Sequence, residues 1–80
     1  MRMYRLRSRR EELGVTALQM AQDVGCSVQT VLNAEFGIEV PSGDDLRSRL
    51  ARAYDLSPRE YIELALDAAE GFALREAARG

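Results

Sequence analysis

Apolar residues recur along the chain at spacings of three and four residues, the pattern of helices that bury one face. Glycines and N-capping residues divide this pattern into five segments. The longest β-like stretch, Gly37–Val40, is short and ends at Pro41. The pattern therefore predicts an all-α domain of five short helices joined by tight turns.

The first three segments end at glycines, and the second and third begin at residues that cap helices. Segment one covers roughly residues 2–13, segment two follows Thr16, and segment three follows Ser27 and ends near Glu35. Gln19 lies three residues after Thr16, which is the spacing of a capping box. The apolar residues assigned to these segments are Tyr4, Leu6, Leu13, Met20, Ala21, Val24, Val28, Val31 and Ala34.

The last two segments also start with capping signals. Ser42 is followed three residues later by Asp45, which predicts a capped start for segment four. Segment five opens with Ser57–Glu60, in which a capping serine precedes a proline at the first helical position and a glutamate at the third. We expect this helix to extend toward Ala78, or to stop or kink at Gly71, because glycine costs about 1 kcal/mol in a helix interior.

The charges are unevenly distributed along the chain. It has 80 residues, with 11 Lys or Arg, 13 Asp or Glu and a formal net charge of -2. Every basic residue is an arginine, and five of them fall in the first ten residues, which contain no acid. Local electrostatic potential governs binding to a polyanion more than net charge does. The net negative charge of this chain therefore does not exclude a nucleic-acid partner.

The composition excludes several function classes. The single cysteine, Cys26, cannot form an internal disulfide, and a chain without histidine rarely builds a zinc site. No paired carboxylates, nucleophile–base set or phosphate-binding glycine loop can be assembled. We therefore expect no catalytic residues, metal, cofactor or small-molecule ligand. The sequence has no membrane span or secretory signal, and we expect a cytoplasmic protein that does not contact membranes.

Segments two and three have the spacing of a helix-turn-helix unit. Such a unit packs two helices at roughly 90–120° around a turn of about three to four residues. The first helix needs a small residue at the crossing, which Ala21 supplies, and Gly25 supplies a turn residue that tolerates positive φ. Val31 then directs an aliphatic side chain inward from the second helix.

With these features the chain resembles the Cro/repressor-type (XRE-like) helix-turn-helix family over roughly residues 5–66. The residues that carry the resemblance are Arg10–Thr16, Met20–Ala21, Val24–Ser27, Thr30–Val31, Glu35, Gly37, Pro41–Ser42 and Leu50–Ser57. The resemblance implies a DNA-binding domain at residues 1–66, whose third helix, about residues 28–35, enters the major groove of double-stranded DNA. Residues 67–80 would extend the last helix, either as a dimerisation segment or as a frayed tail.

The resemblance also implies which residues contact DNA bases. Carried over by position, they are Val28, Gln29 and Asn33. Gln29 and Asn33 are four residues apart and share one helix face, and either amide can bond an adenine edge in bidentate fashion. Val28 could meet a thymine methyl group. The alternative is that both amides are ordinary solvated side chains.

Phosphate contacts are expected from helix termini and from the arginines of the first segment. The implied positions are Thr16, Ala17, Gly37, Ile38, Arg5 and Arg9. The alternative for the arginines is that they only solubilise an exposed helix. The resemblance further implies a partly buried ion pair between Arg10 and Glu35, which we expect to be structural.

The last segment carries an outer apolar stripe beyond what a monomer core needs. Its residues are Ile62, Leu66, Ala69 and Phe72. Family members commonly dimerise there, and twofold protein symmetry matches palindromic operators. We therefore expect a homodimeric transcriptional regulator of the phage- or plasmid-type repressor/Cro kind. The alternative is an antitoxin-type module that binds a protein toxin and regulates DNA only secondarily, which the acidic body and the apolar Leu32, Phe36 and Phe72 would serve.

Overall fold

The structure, a computed structural model, describes residues 5–79 and folds them into five α-helices, with no strand in that range. The helices are α1 (Arg5–Glu12), α2 (Ala17–Val24), α3 (Val28–Phe36), α4 (Asp44–Ala53) and α5 (Pro58–Arg79). The predicted all-α fold with an extended C-terminal helix is confirmed. Tyr4, which the sequence assigned to the first helix, lies outside the described residues. Across residues 5–79 we find no helix whose length and hydropathy would let it span a bilayer.

Three of the predicted N-caps form. The Thr16 hydroxyl accepts a hydrogen bond from the backbone N–H of Gln19 at 3.1 Å. The Gln19 side-chain oxygen accepts one from the backbone N–H of Thr16, which completes the capping box. Ser27 caps α3 through its hydroxyl. Ser57 and Glu60 exchange the same pair of bonds at the start of α5. Because such caps are typically worth about 1 kcal/mol each, local sequence accounts for the starts of these three helices.

The predicted cap of α4 is wrong. The cap position falls on Gly43, which has φ 95° and makes no side-chain hydrogen bond. Ser42 precedes the cap by one residue, and Asp45 instead pairs with Arg49, at 3.1 Å between carboxylate and guanidinium. The alternative of a stop at Gly71 does not occur either, because α5 continues through that residue.

The small core brings together side chains from all five helices. Its largest fully buried apolar side chains are Leu6, Met20, Val31, Leu50, Tyr54 and Tyr61. The rings of Tyr54 and Tyr61 pack with their centroids 5.6 Å apart. Burying a large apolar side chain stabilises the fold by about 1.5–3 kcal/mol. Leu13 and Val28, by contrast, stay 37% and 38% exposed, so they add little to this core.

The end of α3 packs directly against the middle of α5. Gly37 follows α3 with φ 80° and is buried, and a Cβ on it would overlap the carbonyl group of Ala68. Glycine is therefore required at this position both by the backbone conformation and by the lack of space. Ala68 is itself buried, so the core continues past residue 66, where the sequence placed the end of the domain.

Candidate nucleic-acid interface

The helix-turn-helix unit consists of α2, α3 and the Gly25–Ser27 turn between them. Gly25 has φ 83°, and the N–H groups of Gly25 and Cys26 both donate to the Ala21 carbonyl, at 2.8 and 3.0 Å. Ala21 and Val31 are both buried in the core. Burial raises the pKa of the Cys26 thiol, which lies half-buried in this turn. The turn is closed by backbone bonds and fixes α3 relative to α2.

The outer face of α3 carries the three side chains that the resemblance assigned to DNA bases. Val28 and Gln29 are exposed at the helix start, and Asn33 is half-buried one turn later. Gln29 Nε2 donates to Asn33 Oδ1 at 2.7 Å, so the two amides lie on one face and order each other. Each amide keeps further hydrogen-bonding capacity, because its oxygen has two lone pairs and its nitrogen two protons. The pair can therefore still bond the edge of a base.

The start of α2 presents free backbone donors. The N–H groups of Ala17 and Leu18 have no acceptor one turn back, as at any helix N-terminus. The Thr16 side chain is engaged as the cap. Its hydroxyl accepts a hydrogen bond from the backbone N–H of Gln19 and lies 3.3 Å from the Gln19 side-chain oxygen. The Ala17 N–H can therefore reach a phosphate oxygen, while the Thr16 side chain orders the turn that presents it.

The amides that follow α3 bond to the helix instead of remaining free for phosphate. The Gly37 N–H donates to the Ala34 carbonyl at 3.3 Å, and the Ile38 N–H donates to the Asn33 carbonyl at 2.8 Å. These bonds satisfy carbonyls that otherwise lack partners at a helix C-terminus. Gly37 is also buried against α5. Phosphate contacts through these two N–H groups, which the resemblance implied, would therefore require breaking the end of α3.

Arg5 and Arg9, the two arginines expected to contact phosphate, both have partners within the protein. Arg5 Nη1 lies 3.5 Å from the Asp67 carboxylate on α5, in a surface ion pair whose two side chains are about half exposed. Arg9 donates to the Tyr54 carbonyl from Nε at 2.9 Å and to the Asp55 carbonyl from Nη2 at 3.2 Å. Asp55 has φ 58°, so Arg9 holds the sharp turn between α4 and α5. Arg9 therefore anchors α1 to the rest of the fold, whereas a surface pair such as that of Arg5 contributes little, and a phosphate contact by Arg5 stays a prediction.

Arg10 and Glu35 meet inside the protein. Arg10 Nε and Nη2 donate to the two carboxylate oxygens of Glu35 at 2.7 and 2.9 Å, and Nη1 donates to the Val15 carbonyl at 3.1 Å. Glu35 is fully buried, and the Arg10 side chain is 11% exposed. The hydrogen bonds to Glu35 raise the pKa of Arg10, so its guanidinium stays charged. The pair joins α1 to the last turn of α3.

Sequence reasoning missed a third member of this cluster. The Tyr54 hydroxyl donates to Glu35 Oε2 at 2.6 Å. Burial, together with the neighbouring charge of Glu35, raises the pKa of Tyr54. The available signal was a tyrosine directly after the last residue of a predicted helix. The bond joins residues 19 positions apart, however, and no local pattern contains it.

The helix-turn-helix unit carries no basic side chain. The sequence has no lysine or arginine between Arg10 and Arg47, a stretch that includes all of α2 and α3. The acids in this stretch are Glu11, Glu12, Asp23, Glu35, Glu39, Asp44 and Asp45. Across residues 5–79 the acids do not gather into a group that could hold a metal ion. Phosphate binding by this stretch would therefore depend on backbone N–H groups and neutral polar side chains.

The α5 residues expected at a dimer interface do not all lie on the same side of the helix. Leu66 is 53% exposed, and Ile62 and Ala69 lie beside it at helical spacing, half-buried. Phe72 is half-buried on the core side of α5, and the Arg75 guanidinium lies 5.8 Å from its ring centroid. Ile62, Leu66 and Ala69 therefore lie on the outer part of the stripe, and Phe72 lies at its inner edge.

Comparison with known proteins agrees with this geometry. A family model described as a helix-turn-helix domain matches residues 4–64, a range that spans α1 to α4 and the first turns of α5. No curated protein and no solved structure shows significant similarity to the chain. The match covers most of the chain and leaves the C-terminal part of α5 outside it.

Proposed function

The chain belongs to the helix-turn-helix domain family, in the Cro/XRE-type clan, and from this premise we propose that it is a sequence-specific DNA-binding transcriptional regulator of the repressor/Cro kind. The observation that carries the proposal is the amide pair of Gln29 and Asn33 on the outer face of α3. The second helix of such a unit lies in the major groove, with its N-terminal residues against base edges. Members of the family are typically not enzymes, and the proposed role needs no catalytic group.

Gln29 and Asn33 would read bases, with Val28 beside them. An amide side chain matches adenine, which offers the N6 donor and the N7 acceptor in the major groove. Val28 would add an apolar contact to a thymine methyl group. A good bidentate contact discriminates against the wrong base by about 1–3 kcal/mol, and neutral amides provide this without any positive charge.

Phosphate binding would depend on the start of α2. The Ala17 N–H lies at a helix terminus where the macrodipole adds partial positive charge, and Thr16 orders that terminus. Because no basic side chain lies between Arg10 and Arg47, each protomer would bind DNA only modestly. Two linked protomers would then be needed for useful specific affinity.

The proposal includes a homodimer, with residues 1–66 as the DNA-binding part and residues 67–80 as an extension that supports dimerisation. The outer stripe of α5 supports this, because Leu66 is exposed between the half-buried Ile62 and Ala69. A twofold dimer would present α3 to a palindromic operator, with half-sites roughly 34–36 Å apart. The first turn of the extension also contributes Ala68 to the core.

One observation favours a second candidate function, an antitoxin-type module with a protein toxin as its main partner. The stretch between Arg10 and Arg47 contains acids and no basic side chain, and it also carries Leu18 and Ile38, which are 58% and 52% exposed. A basic protein surface would be attracted to such a stretch, whereas DNA phosphates would be repelled by its acids. Regulation through DNA would then be secondary.

Selection of bound sites from random double-stranded DNA, combined with a sizing measurement, tests both candidates. We expect the wild-type chain to enrich a palindromic site as a dimer. Gln29→Ala should relax discrimination at one base position by about 1–3 kcal/mol. The matched control is Gln22→Ala on the exposed surface of α2, which should leave the selected site unchanged.

Two outcomes would count against the DNA-binding proposal or its details. A uniform loss of affinity on all sequences in Gln29→Ala would mean that Gln29 positions the helix and does not read a base. Failure of the wild-type chain to enrich any sequence would reject the DNA-binding regulator and leave the protein-partner function.

A further inference from the structure

Tyr54 links the end of α4 to the last turn of α3 through the protein interior. Its side chain is fully buried, and its hydroxyl donates to Glu35 Oε2 at 2.6 Å. The backbone carbonyl of the same residue accepts a hydrogen bond from Arg9 Nε at 2.9 Å. Tyr54 is therefore held by α1 through its backbone and by α3 through its hydroxyl.

The Glu35 carboxylate is fixed from two directions. Arg10 approaches from α1 with two hydrogen bonds, and Tyr54 approaches from the end of α4 with one. Because Glu35 is fully buried, bulk water cannot replace a missing donor, and the low local dielectric strengthens each bond. Loss of Arg10 would remove the compensating charge. Loss of the Tyr54 hydroxyl would remove only a directional bond.

The direction of that bond matters for the outer face of α3. Glu35 lies on the same short helix as Gln29 and Asn33, so a rotation of the last turn also turns the amide pair. The helix α5 begins shortly after the corner formed by Tyr54 and Asp55. The hydroxyl of Tyr54 therefore connects the orientation of α3 to the helix that carries the outer stripe.

We propose that Tyr54 is a positioning residue for base recognition. Through Glu35, its hydroxyl fixes the rotation of α3 relative to α5, so that Gln29 and Asn33 of both protomers meet their half-sites in register. This inference rests on the proposed function. Tyr54 itself is buried and acts on the bases only through Glu35 and the helix that carries it.

Tyr61 provides a matched control inside the same core. Its side chain is also fully buried, and its ring lies 5.6 Å from the ring of Tyr54, centroid to centroid. Its hydroxyl, however, has no hydrogen-bond partner among residues 5–79. Tyr54→Phe and Tyr61→Phe therefore delete the same atom from neighbouring rings, and only the first deletion breaks a bond to α3.

The first measurement compares the specific and non-specific DNA affinities of the two variants at a temperature where circular dichroism shows both to be folded. The probes are the selected palindrome and a scrambled duplex of equal length. We expect Tyr54→Phe to lower specific affinity by about tenfold, the order of one weakened base contact, and to leave non-specific affinity within about twofold. Tyr61→Phe should change neither affinity by more than about twofold.

Two results of this measurement would overturn the proposal. One is equal behaviour of the two variants on the palindrome. The other is an equal loss on both duplexes in Tyr54→Phe, because a tyrosine that only supports the fold would weaken all binding alike.

The second measurement needs no DNA, so it separates failure of this inference from failure of the proposed function. Amide hydrogen exchange is read at Gly37 and Ile38, whose N–H groups close the end of α3. We expect faster exchange there in Tyr54→Phe, relative to the amides of α2, and no such difference in Tyr61→Phe. If the wild-type chain selects no DNA sequence, the proposed function fails and exchange alone decides whether Tyr54 positions α3. A uniform change across α2 and α3 would overturn the inference.

Discussion

Arg10 and Glu35 form a two-pronged ion pair in the protein interior, with nitrogen–oxygen distances of 2.7 and 2.9 Å. The Glu35 side chain has no exposed surface, so nearly all the interactions that stabilise its negative charge come from within the fold. Removing one partner of a buried pair is much more costly than the net value of the pair, because the other charge stays buried without compensation. The Arg10 side chain thus serves the attachment of α1 to α3.

Replacing Arg10 by methionine should lower the free energy of unfolding by about 3–5 kcal/mol. The reason is that Glu35 would keep a buried charge without its main partner. Chemical denaturation followed by circular dichroism measures the loss. Arg7→Met is the matched control, because the ion pair between Arg7 and Glu11 is 47% and 58% exposed and should be worth less than about 1 kcal/mol. Similar losses in the two variants would mean that the interior pair does not form in solution.

Gly37→Ala should destabilise the fold more than Gly14→Ala does. Both glycines have positive φ, 80° and 71°, which costs an alanine about 1–2 kcal/mol. A Cβ at Gly14 meets no atom within 4 Å, whereas a Cβ at Gly37 would overlap the Ala68 carbonyl. Overlap in a packed site adds about 1–3 kcal/mol. Equal destabilisation of the two variants, measured by denaturant unfolding, would show that α3 and α5 are not in close contact.

Local sequence signals predicted most helix starts, because a cap is formed by residues three positions apart, such as Thr16 and Gln19. The attachment of α1 could not be predicted in this way. The arginine-rich N-terminus suggested a phosphate-binding end, yet Arg9 bonds carbonyls 45 and 46 positions away. Partners at that distance depend on where the chain returns, which no local pattern specifies. The resemblance supplied the pairing of Arg10 with Glu35, and it included Tyr54 among the matching residues without giving that residue a partner.

In the candidate site, too, only features that depend on nearby residues could be predicted from the sequence. The four-residue spacing of Gln29 and Asn33 predicted a shared helix face, and their side chains do form a hydrogen bond. The availability of the Gly37 and Ile38 amides could not be predicted, since it depends on how the last turn of α3 closes. A glycine at the end of a helix is compatible both with backbone N–H groups that remain free and with N–H groups that bond back to the helix.

Alkaline titration should show that two of the three tyrosines resist ionisation in the folded chain. Burial raises the pKa of both Tyr54 and Tyr61 above the ordinary value of about 10, and the charge of Glu35 adds to this. Because the pKa of each tyrosine is raised in the folded state, its contribution to the free energy of unfolding is fully present below about pH 10. That contribution is lost as the pH rises further, because the unfolded chain releases these protons first. Near-ultraviolet phenolate absorbance of native and urea-unfolded chain measures this. Ionisation of more than one tyrosine at an ordinary pKa in the native chain would contradict the buried positions.

Leu66→Glu should convert a dimer into monomers and weaken specific DNA binding. A carboxylate in the outer stripe would be buried across the twofold axis without a partner, which is costly. The monomer fold should be kept, because Leu66 is 53% exposed in the isolated chain. Sedimentation velocity measures the oligomeric state. Leu74→Glu is the matched control, since Leu74 is 65% exposed on α5 and lies outside the stripe. A wild-type monomer, or dissociation in both variants, would contradict this interface.

The lack of basic side chains between Arg10 and Arg47 predicts a shallow salt dependence of DNA binding. Each phosphate that a basic side chain neutralises adds about -0.9 to the slope of log affinity against log salt concentration. Backbone N–H groups at the start of α2 carry only partial charge and should add less. We therefore expect the slope to be small but measurable, and complete insensitivity to salt would contradict DNA binding.

Glu39→Lys should raise DNA affinity and make that slope steeper by about -0.9 for each protomer. Glu39 is exposed in the loop after α3, where a lysine would replace repulsion of the phosphate backbone by attraction. Glu76→Lys makes the same charge change near the end of α5, where Glu76 pairs with Arg79 at 3.1 Å, and it should alter the slope little. Binding titrations at several salt concentrations separate the two variants. Equal effects would mean that the gain reflects net charge alone, since only a lysine near the phosphates releases additional counterions.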